Sequence, residues 1–312
     1  METADLIWHN GELVAWEDAK VHVLTHGLHY GTGVFEGVRA YETADGGTAI
    51  FRHQDHLDRL FKSAQLYYMP IPYSHEELRQ ATHDLLIANG LRECYIRPIV
   101  FRGYGTMGLY PLEAPVDVSI AAWPWGAYLG EESGKNGIRA KVSTWRRLPS
   151  DSVNPQAKAS GTYLNSILAK IEATKAGYDE AILLDPAGDV CEGSGENVFL
   201  IADGRVVTPA LASGALDGIT RRSLIQIAHD LGHEVVERAI ARAELYLADE
   251  VFVTGTAAEL VPLREVDDHV IGDGGRGPIT TELQRVFQDA LRGRDPRYAT
   301  WLDRVEVPAA TS

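Results

Sequence analysis

One lysine, Lys158, stands among small residues in Gln156-Ala157-Lys158-Ala159-Ser160-Gly161-Thr162-Tyr163-Leu164-Asn165, just ahead of a strongly periodic segment. An amine on such a short connection is a candidate for covalent chemistry, although most lysines are solvated surface charges. Two glycine-threonine turns could present backbone N–H groups and a hydroxyl to an anion. Gly218-Ile219-Thr220 opens a segment whose apolar positions Leu224, Ile225, Ala228 and Leu231 predict a helix, and its first N–H groups and dipole favour a phosphate. Gly255-Thr256-Ala257-Ala258 follows the apolar run Val251-Phe252-Val253. Arg59 offers a planar cation suited to a phosphate; the stripe Leu57, Leu60, Phe61 and Ala64 leaves it off the apolar face, where a solvated arginine is the competing reading. Glu192 and Glu196 lie in a glycine turn between two apolar runs, either buried and paired or wet.

Other motifs carry less. Gly103-Tyr104-Gly105-Thr106-Met107-Gly108 matches a dinucleotide fingerprint, but two prolines, Pro111 and Pro115, follow where the phosphate-binding helix should start. His26/His29 and His53/His56 have helical metal spacing without a third ligand nearby in sequence, so they read as ordinary polar histidines and no metal site is expected.

The elements that must position these groups follow from periodicity. Leu164, Ile167, Leu168 and Ile171 predict one buried face of a helix over 161–176, stopped by Gly177, with Lys170 and Lys175 on its wet side. Strands are expected near 48–52, 94–102 and 116–123, and helices near 54–67, 75–89, 219–231 and 278–291. Asp185-Pro186-Ala187-Gly188 and Asp203-Gly204 read as hairpin turns. The pattern is α/β (α+β), in two domains: a smaller N-terminal α/β domain over 1–128, a glycine-rich and charged loop over 129–137, and a larger C-terminal domain over 138–312, whose last five residues look like a frayed tail.

With 29 basic and 44 acidic side chains, a net charge of −15, the chain is a poor match for nucleic acid or an anionic membrane. No run of about 18 apolar residues could span a bilayer, and the first residues lack the pattern of a signal peptide. Only Cys94 and Cys191 are present, each in an expected strand, which argues for free thiols in a reducing compartment such as the cytoplasm.

An amine, a two-loop phosphate site with an arginine, and a buried acid are together what pyridoxal 5'-phosphate requires. Eight motifs in order support that reading: His29-Tyr-Gly-Thr-Gly-Val-Phe-Glu-Gly37, Phe51-Arg-His53 through Arg59, Tyr95-Ile-Arg-Pro98, Trp125-Gly-Ala-Tyr128, Ala157-Lys-Ala159 with Tyr163, Glu192-Gly-Ser-Gly-Glu-Asn197, Gly218-Ile-Thr220 and Gly255-Thr-Ala-Ala-Glu259. From about Trp8 to Val305 the chain resembles the branched-chain amino acid aminotransferases of the class IV, or fold-type-IV, family. The resemblance implies a C-terminal domain with a β-barrel-like core and transamination of leucine, isoleucine and valine with 2-oxoglutarate, giving L-glutamate. It implies that Lys158 bonds the cofactor and shuttles a proton, that Glu192 meets the pyridine nitrogen and Tyr163 the ring oxygen, and that Arg59, Ile219, Thr220 and Thr256 bind the phosphate. For substrate it implies Phe35, Trp125 and Tyr128 as apolar walls, and Tyr95 with the Thr256-Ala257 backbone for the carboxylate. Arg97 would serve glutamate's second carboxylate, and Tyr30 and Leu109 would come from a second subunit of a homodimer or hexamer. Thr106 and Tyr110 depart from the family pattern in a carboxylate-binding loop, which leaves the side-chain preference and the acceptance of aromatic or amine substrates open; the alternative is the same fold acting on (R)-amines or D-amino acids, or as an aminodeoxychorismate lyase.

Overall fold

A computed structural model of the chain describes residues 2–126 and 133–308, so Tyr128, residues 129–132 of the glycine-rich loop and the last four residues lie outside the described residues. The chain divides into two compact units, one of residues 1–125, 157–161 and 289–312 and the other of residues 126–156 and 162–288. The sequence boundary at 129–137 therefore leaves out two features. The lysine segment 157–161 and the C-terminal 289–312 belong with the first unit, because each is hydrogen-bonded into it.

In the first unit the strands are β1 (Leu6–His9), β2 (Glu12–Ala15), β3 (Gly33–Phe35), β4 (Val38–Glu42), β5 (Thr48–Phe51), β6 (Cys94–Arg102) and β7 (Val116–Trp123), with helices α1 (His26–Tyr30), α2 (His53–Leu66) and α3 (His75–Ala88). With the C-terminal strand Leu302–Val305 they make one sheet in the order C-terminal strand, β5, β4, β6, β7, β1, β2, with β3 also paired to β6. All of these pairings are antiparallel. Leu57 and Leu60 of α2 and Leu78 and Leu85 of α3 pack with Val38, Ile50, Ile96, Val118 and Ile120 of the sheet to form the core. Helix α3 starts where the sequence supplies a capping box: Ser74 Oγ accepts from Glu77 N at 3.2 Å, and the Glu77 carboxylate accepts from Ser74 N at 2.7 Å.

The C-terminal strand lies antiparallel to β5, and its Asp303 gathers four donor contacts. Arg79 donates through Nε at 3.0 Å and Nη2 at 2.6 Å, while His53 Nδ1 and His83 Nε2 each lie 2.8 Å from Oδ2. His56, one turn beyond His53, faces Glu36 instead, and His26 and His29 have separate partners in Thr32 and the Val23 carbonyl. Neither histidine pair acts as a pair.

The second unit holds α4 (Ser133–Asn136), β8 (Ile138–Arg146), α5 (Tyr163–Lys175), β9 (Glu180–Leu184), β10 (Val190–Gly193), β11 (Asn197–Ala202), β12 (Arg205–Pro209), α6 (Ile219–Asp230), β13 (Val235–Arg238), α7 (Arg242–Leu247), β14 (Glu250–Gly255), β15 (Glu259–Val266) and α8 (Pro278–Leu291). Its sheet runs β10, β9, β8, β15, β14, β11, β12, β13 and curls as a half-barrel. Both expected hairpins are present: β9 and β10 pair across Asp185–Gly188, and β11 and β12 across Asp203-Gly204. Asp203 and Gly204 have φ of 51° and 72°, the left-handed pair that matches the twist of a tight hairpin.

Helix α5 sits where the periodicity predicts, but its face is reversed. The expected core residues are exposed, Leu164 at 68 % and Ile171 at 46 %, whereas Ser166, Ala169 and Ala173 are buried. Ala169 and Ala173 pack with Ala181 and Leu183 of β9, so small residues set the close approach of helix to sheet and the large ones face outward. Lys170 likewise departs from the expected wet side: its amine lies 2.6 Å from the fully buried Glu180. Among the described residues, no helix is long and apolar enough to cross a membrane.

Overpacking this contact tests the reversed face. Ala169→Leu is expected to cost about 1–3 kcal/mol in denaturant unfolding; a variant as stable as the parent would place the packing elsewhere.

Candidate active site

Lys158 is held in the first unit by its backbone. Its N–H donates to Ser63 Oγ of α2 at 3.1 Å, its carbonyl accepts from Phe35 N at 3.0 Å, and Val34 and Ala159 form an isolated antiparallel bridge. The side-chain amine lies 5.3 Å from the centre of the Phe35 ring. Gly31 assists the approach: it caps α1 at φ 67°, and a Cβ there would come within 3.0 Å of Gly161 Cα.

Arg59 is no surface arginine. It lies buried on α2, donating through Nε at 2.7 Å and Nη2 at 2.9 Å to the two oxygens of Glu36, which is completely buried. Burial by itself would raise the Glu36 pKa, but the charge and hydrogen bonds of Arg59 and His56 hold it well below the usual carboxylate range. His56 Nδ1 lies 2.7 Å from Glu36 Oε2, and burial depresses the His56 pKa. An ionised carboxylate can only accept, so the neutral imidazole carries its proton on Nδ1.

The expected substrate residues of this unit form an aromatic group with one cation. Tyr95 and Arg97 alternate along β6 and so project to one side. The Arg97 guanidinium rests 4.8 Å from the Phe35 ring centre and 5.3 Å from that of Tyr95, and Tyr95 stacks obliquely with Trp125 at 5.2 Å. Arg97 Nε is buried with no hydrogen-bond partner among the described residues, an orphaned donor suited to an anion. Gly37 is required here, since a Cβ at that position would sit 1.9 Å from the Tyr95 hydroxyl. A cavity of about 370 Å³ runs along β6, lined by Arg97, Ile99, Phe101, Thr25, Leu28 and Ser160. A larger cleft of about 780 Å³ beside Phe61, Tyr68 and His75 contains none of the expected residues. Tyr30 and Leu109 are exposed, Leu109 at 91 %, and take no part in the aromatic group.

In the second unit Glu192 is buried and paired. Its Oε1 lies 2.8 Å from Arg147 Nε and its Oε2 accepts from Leu216 N at 2.9 Å. Asn197 Nδ2 donates to the carbonyl of the same Leu216 at 2.9 Å. Two residues on, Gly218 is the N-cap of α6, and a Cβ on it would lie 2.0 Å from Asn197 Oδ1. Glu192 and Asn197 therefore fix the amino end of α6, where Ile219 and Thr220 stand in the first turn. The other turn closes through Thr254 Oγ1, which donates to Glu259 O at 2.6 Å. Gly255 abuts the 195–196 loop, with a hypothetical Cβ 3.4 Å from Gly195 O, so Thr256 and Ala257 follow from a strand end seated against the acid-bearing loop. Tyr163 is the first residue of α5.

Sequence reasoning missed Glu36, His56, Ser63 and Arg147. His56, Arg59 and Ser63 lie at helical spacing, i, i+3 and i+7, as a polar stripe that becomes a signal only once Glu36 is known to face it. Glu196 is enclosed too: burial, then the charge of Glu180, pushes its pKa up to about 8. Such a group is protonated in the folded state and ionised in the unfolded chain, so it lowers stability as pH rises from the ordinary carboxylate range toward 8. Glu196→Gln should match the parent's unfolding midpoint near pH 4 and exceed it at pH 8; equal midpoints at both would show that Glu196 ionises normally.

Residues 33–266 match the family model described as amino-transferase class IV. A branched-chain-amino-acid aminotransferase of Pseudomonas aeruginosa is 51 % identical over 296 residues, covering 95 % of this chain and 96 % of that one. The crystal structure of the Escherichia coli branched-chain amino acid aminotransferase superposes with a TM-score of 0.94 at 48 % identity, covering 96 % of this chain and 99 % of the other. That of the branched-chain amino acid aminotransferase from Thermobaculum terrenum, in its PLP-bound holo form, gives 0.92 at 38 % identity over 98 % and 100 %.

Proposed function

Since the chain belongs to the class IV aminotransferases, we propose that it transfers the amino group between L-leucine, L-isoleucine or L-valine and 2-oxoglutarate, with pyridoxal 5'-phosphate as cofactor. The observation that carries the substrate class is Arg97 lying over Phe35 and Tyr95 beside Trp125. Apolar walls accept a branched side chain, and one guanidinium with an unpartnered Nε accepts the second carboxylate of glutamate. Tyr95 and the Thr256-Ala257 backbone serve the α-carboxylate; Tyr128, expected in the apolar wall, lies outside the described residues.

The residues present fit the cofactor. When bound, it supplies an aldehyde for an amine to bond and an electron-poor ring that accepts the electron pair left as a proton departs from the substrate Cα. Lys158 would provide the amine that holds the cofactor, and its free amine would serve as the base that moves the proton of the substrate Cα. Glu192 holds a proton on the ring nitrogen; its own position is set by Arg147 and the Leu216 amide. Tyr163 donates to the ring oxygen. Arg59 binds the phosphate by charge, and Thr220, Thr256 and the first-turn amide of Ile219 bind it through neutral donors. Ile219 and Thr220 are both buried in the first turn of that helix.

The protein acts in the cytoplasm as a homodimer or a hexamer of such dimers. Two apolar surfaces support assembly: Tyr30 and Leu109 in the first unit, and the outward stripe Leu164, Ile167, Leu168 and Ile171 in the second. Leu164→Glu with Leu168→Glu is expected to lower the mass measured by light scattering, and an unchanged mass would remove that stripe from the interface.

Lys158→Ala should leave the fold intact and reduce turnover of L-leucine by about 100- to 10,000-fold or more; an undiminished rate would overturn the assignment. The near-visible absorbance of the loaded protein distinguishes substrates. L-leucine alone should bleach it, whereas bleaching only by an (R)-amine or D-alanine would keep the cofactor and replace the substrate class.

A further inference from the structure

We infer that Glu36 and His56 are positioning residues that set the direction of the Arg59 guanidinium toward the cofactor phosphate and couple it to the backbone of Lys158. This rests on the assignment of Arg59 to the phosphate. The geometry is confined to one face of α2. His56 and Arg59 both meet Glu36, and Ser63, one turn beyond Arg59, accepts from the Lys158 N–H. Glu36 directly follows Phe35, whose N–H holds the Lys158 carbonyl. The residues that hold the arginine and those that hold the lysine backbone are thus neighbours on the same strand end and the same helix.

Three donors converge on the Glu36 carboxylate, two from Arg59 and one from His56. The two parallel bonds use Nε and Nη2, so they fix the guanidinium plane and leave its orientation no rotational choice. With Glu36 wholly buried and Arg59 nearly so, losing the carboxylate removes two charge-assisted bonds from a buried cation. Glu36 offsets part of the Arg59 charge, so what Glu36 itself contributes to phosphate binding is direction. Preorganisation of this kind appears as affinity for the one ligand that uses the oriented group.

Phosphate dependence separates this role from a general structural one. Apoprotein carrying Glu36→Gln is titrated with pyridoxal 5'-phosphate and, separately, with pyridoxal, which lacks the phosphate, following the near-visible absorbance. Gln offers a single acceptor oxygen, so the guanidinium keeps its charge and loses one of its two tethers. Glu36→Gln is expected to weaken the phosphorylated ligand about ten-fold and leave pyridoxal within about two-fold. His56→Gln should give a smaller loss with the same selectivity, and it carries the comparison if Glu36→Gln does not fold. Arg59→Gln should lower the same ratio, with Glu36→Gln adding little on top of it. Equal weakening of both ligands, or unchanged or tighter binding of the phosphorylated one in the Glu36 and His56 variants, overturns the positioning role. If Arg59→Gln itself leaves the ratio unchanged, the phosphate assignment of Arg59 fails with it; if Arg59→Gln lowers the ratio and the other two do not, only the positioning role fails.

Discussion

The buried ion pair between Glu36 and Arg59 is the constraint around which the first unit's functional residues are arranged. A carboxylate with no solvent exposure and a guanidinium almost as deep are tolerated only when every oxygen has a donor, and Arg59 with His56 meets that requirement. Because the acceptor lies on the loop just after β3 and all three of its donors lie on α2, the pair fastens the helix to the strand. The lysine segment then hangs from the same two elements, by Ser63 on one side and Phe35 on the other. A reactive amine on a loop would otherwise inherit the loop's freedom, and these backbone bonds remove it.

The second unit uses the same device with different chemistry. Glu192 is fixed by Arg147 and by a backbone amide, and that amide belongs to the loop that starts α6. Asn197 takes the other side of the same peptide residue and leaves no room for a side chain on Gly218. The acid and the helix end that we propose for different parts of one ligand are thereby set by a shared loop. Glu180 with Lys170 follows the rule of paired burial, whereas burial and the neighbouring Glu180 charge push the Glu196 pKa up.

Most of the fold was legible because its signals are local. The hairpin at Asp203-Gly204 and the helices over 53–66, 75–88 and 278–291 each depend on a few neighbouring residues. What failed was the inference from periodicity to burial. In α5 the large apolar side chains and the small ones form two stripes with the same period, and periodicity reports only that a stripe exists. The close approach of β9 admits alanine and serine, and it excludes leucine. Arg59 shows the same limit in reverse, since a charged residue off the apolar stripe reads as wet unless its partner is known.

By itself the sequence determined which groups we propose for the chemistry, Lys158, Arg59, Tyr95, Arg97, Glu192, Thr220 and Thr256, together with their order and the elements that carry them. Reactive type and helical or strand period are properties of a residue and its near neighbours, so they survive in a linear string. Only the tertiary structure decided what each group touches: Glu36 against Arg59 across 23 residues, Ser63 against Lys158 across 95, Leu216 against Glu192 across 24. Those pairings are decided by packing, because whether a buried charge finds its counterpart depends on how the whole chain closes around it.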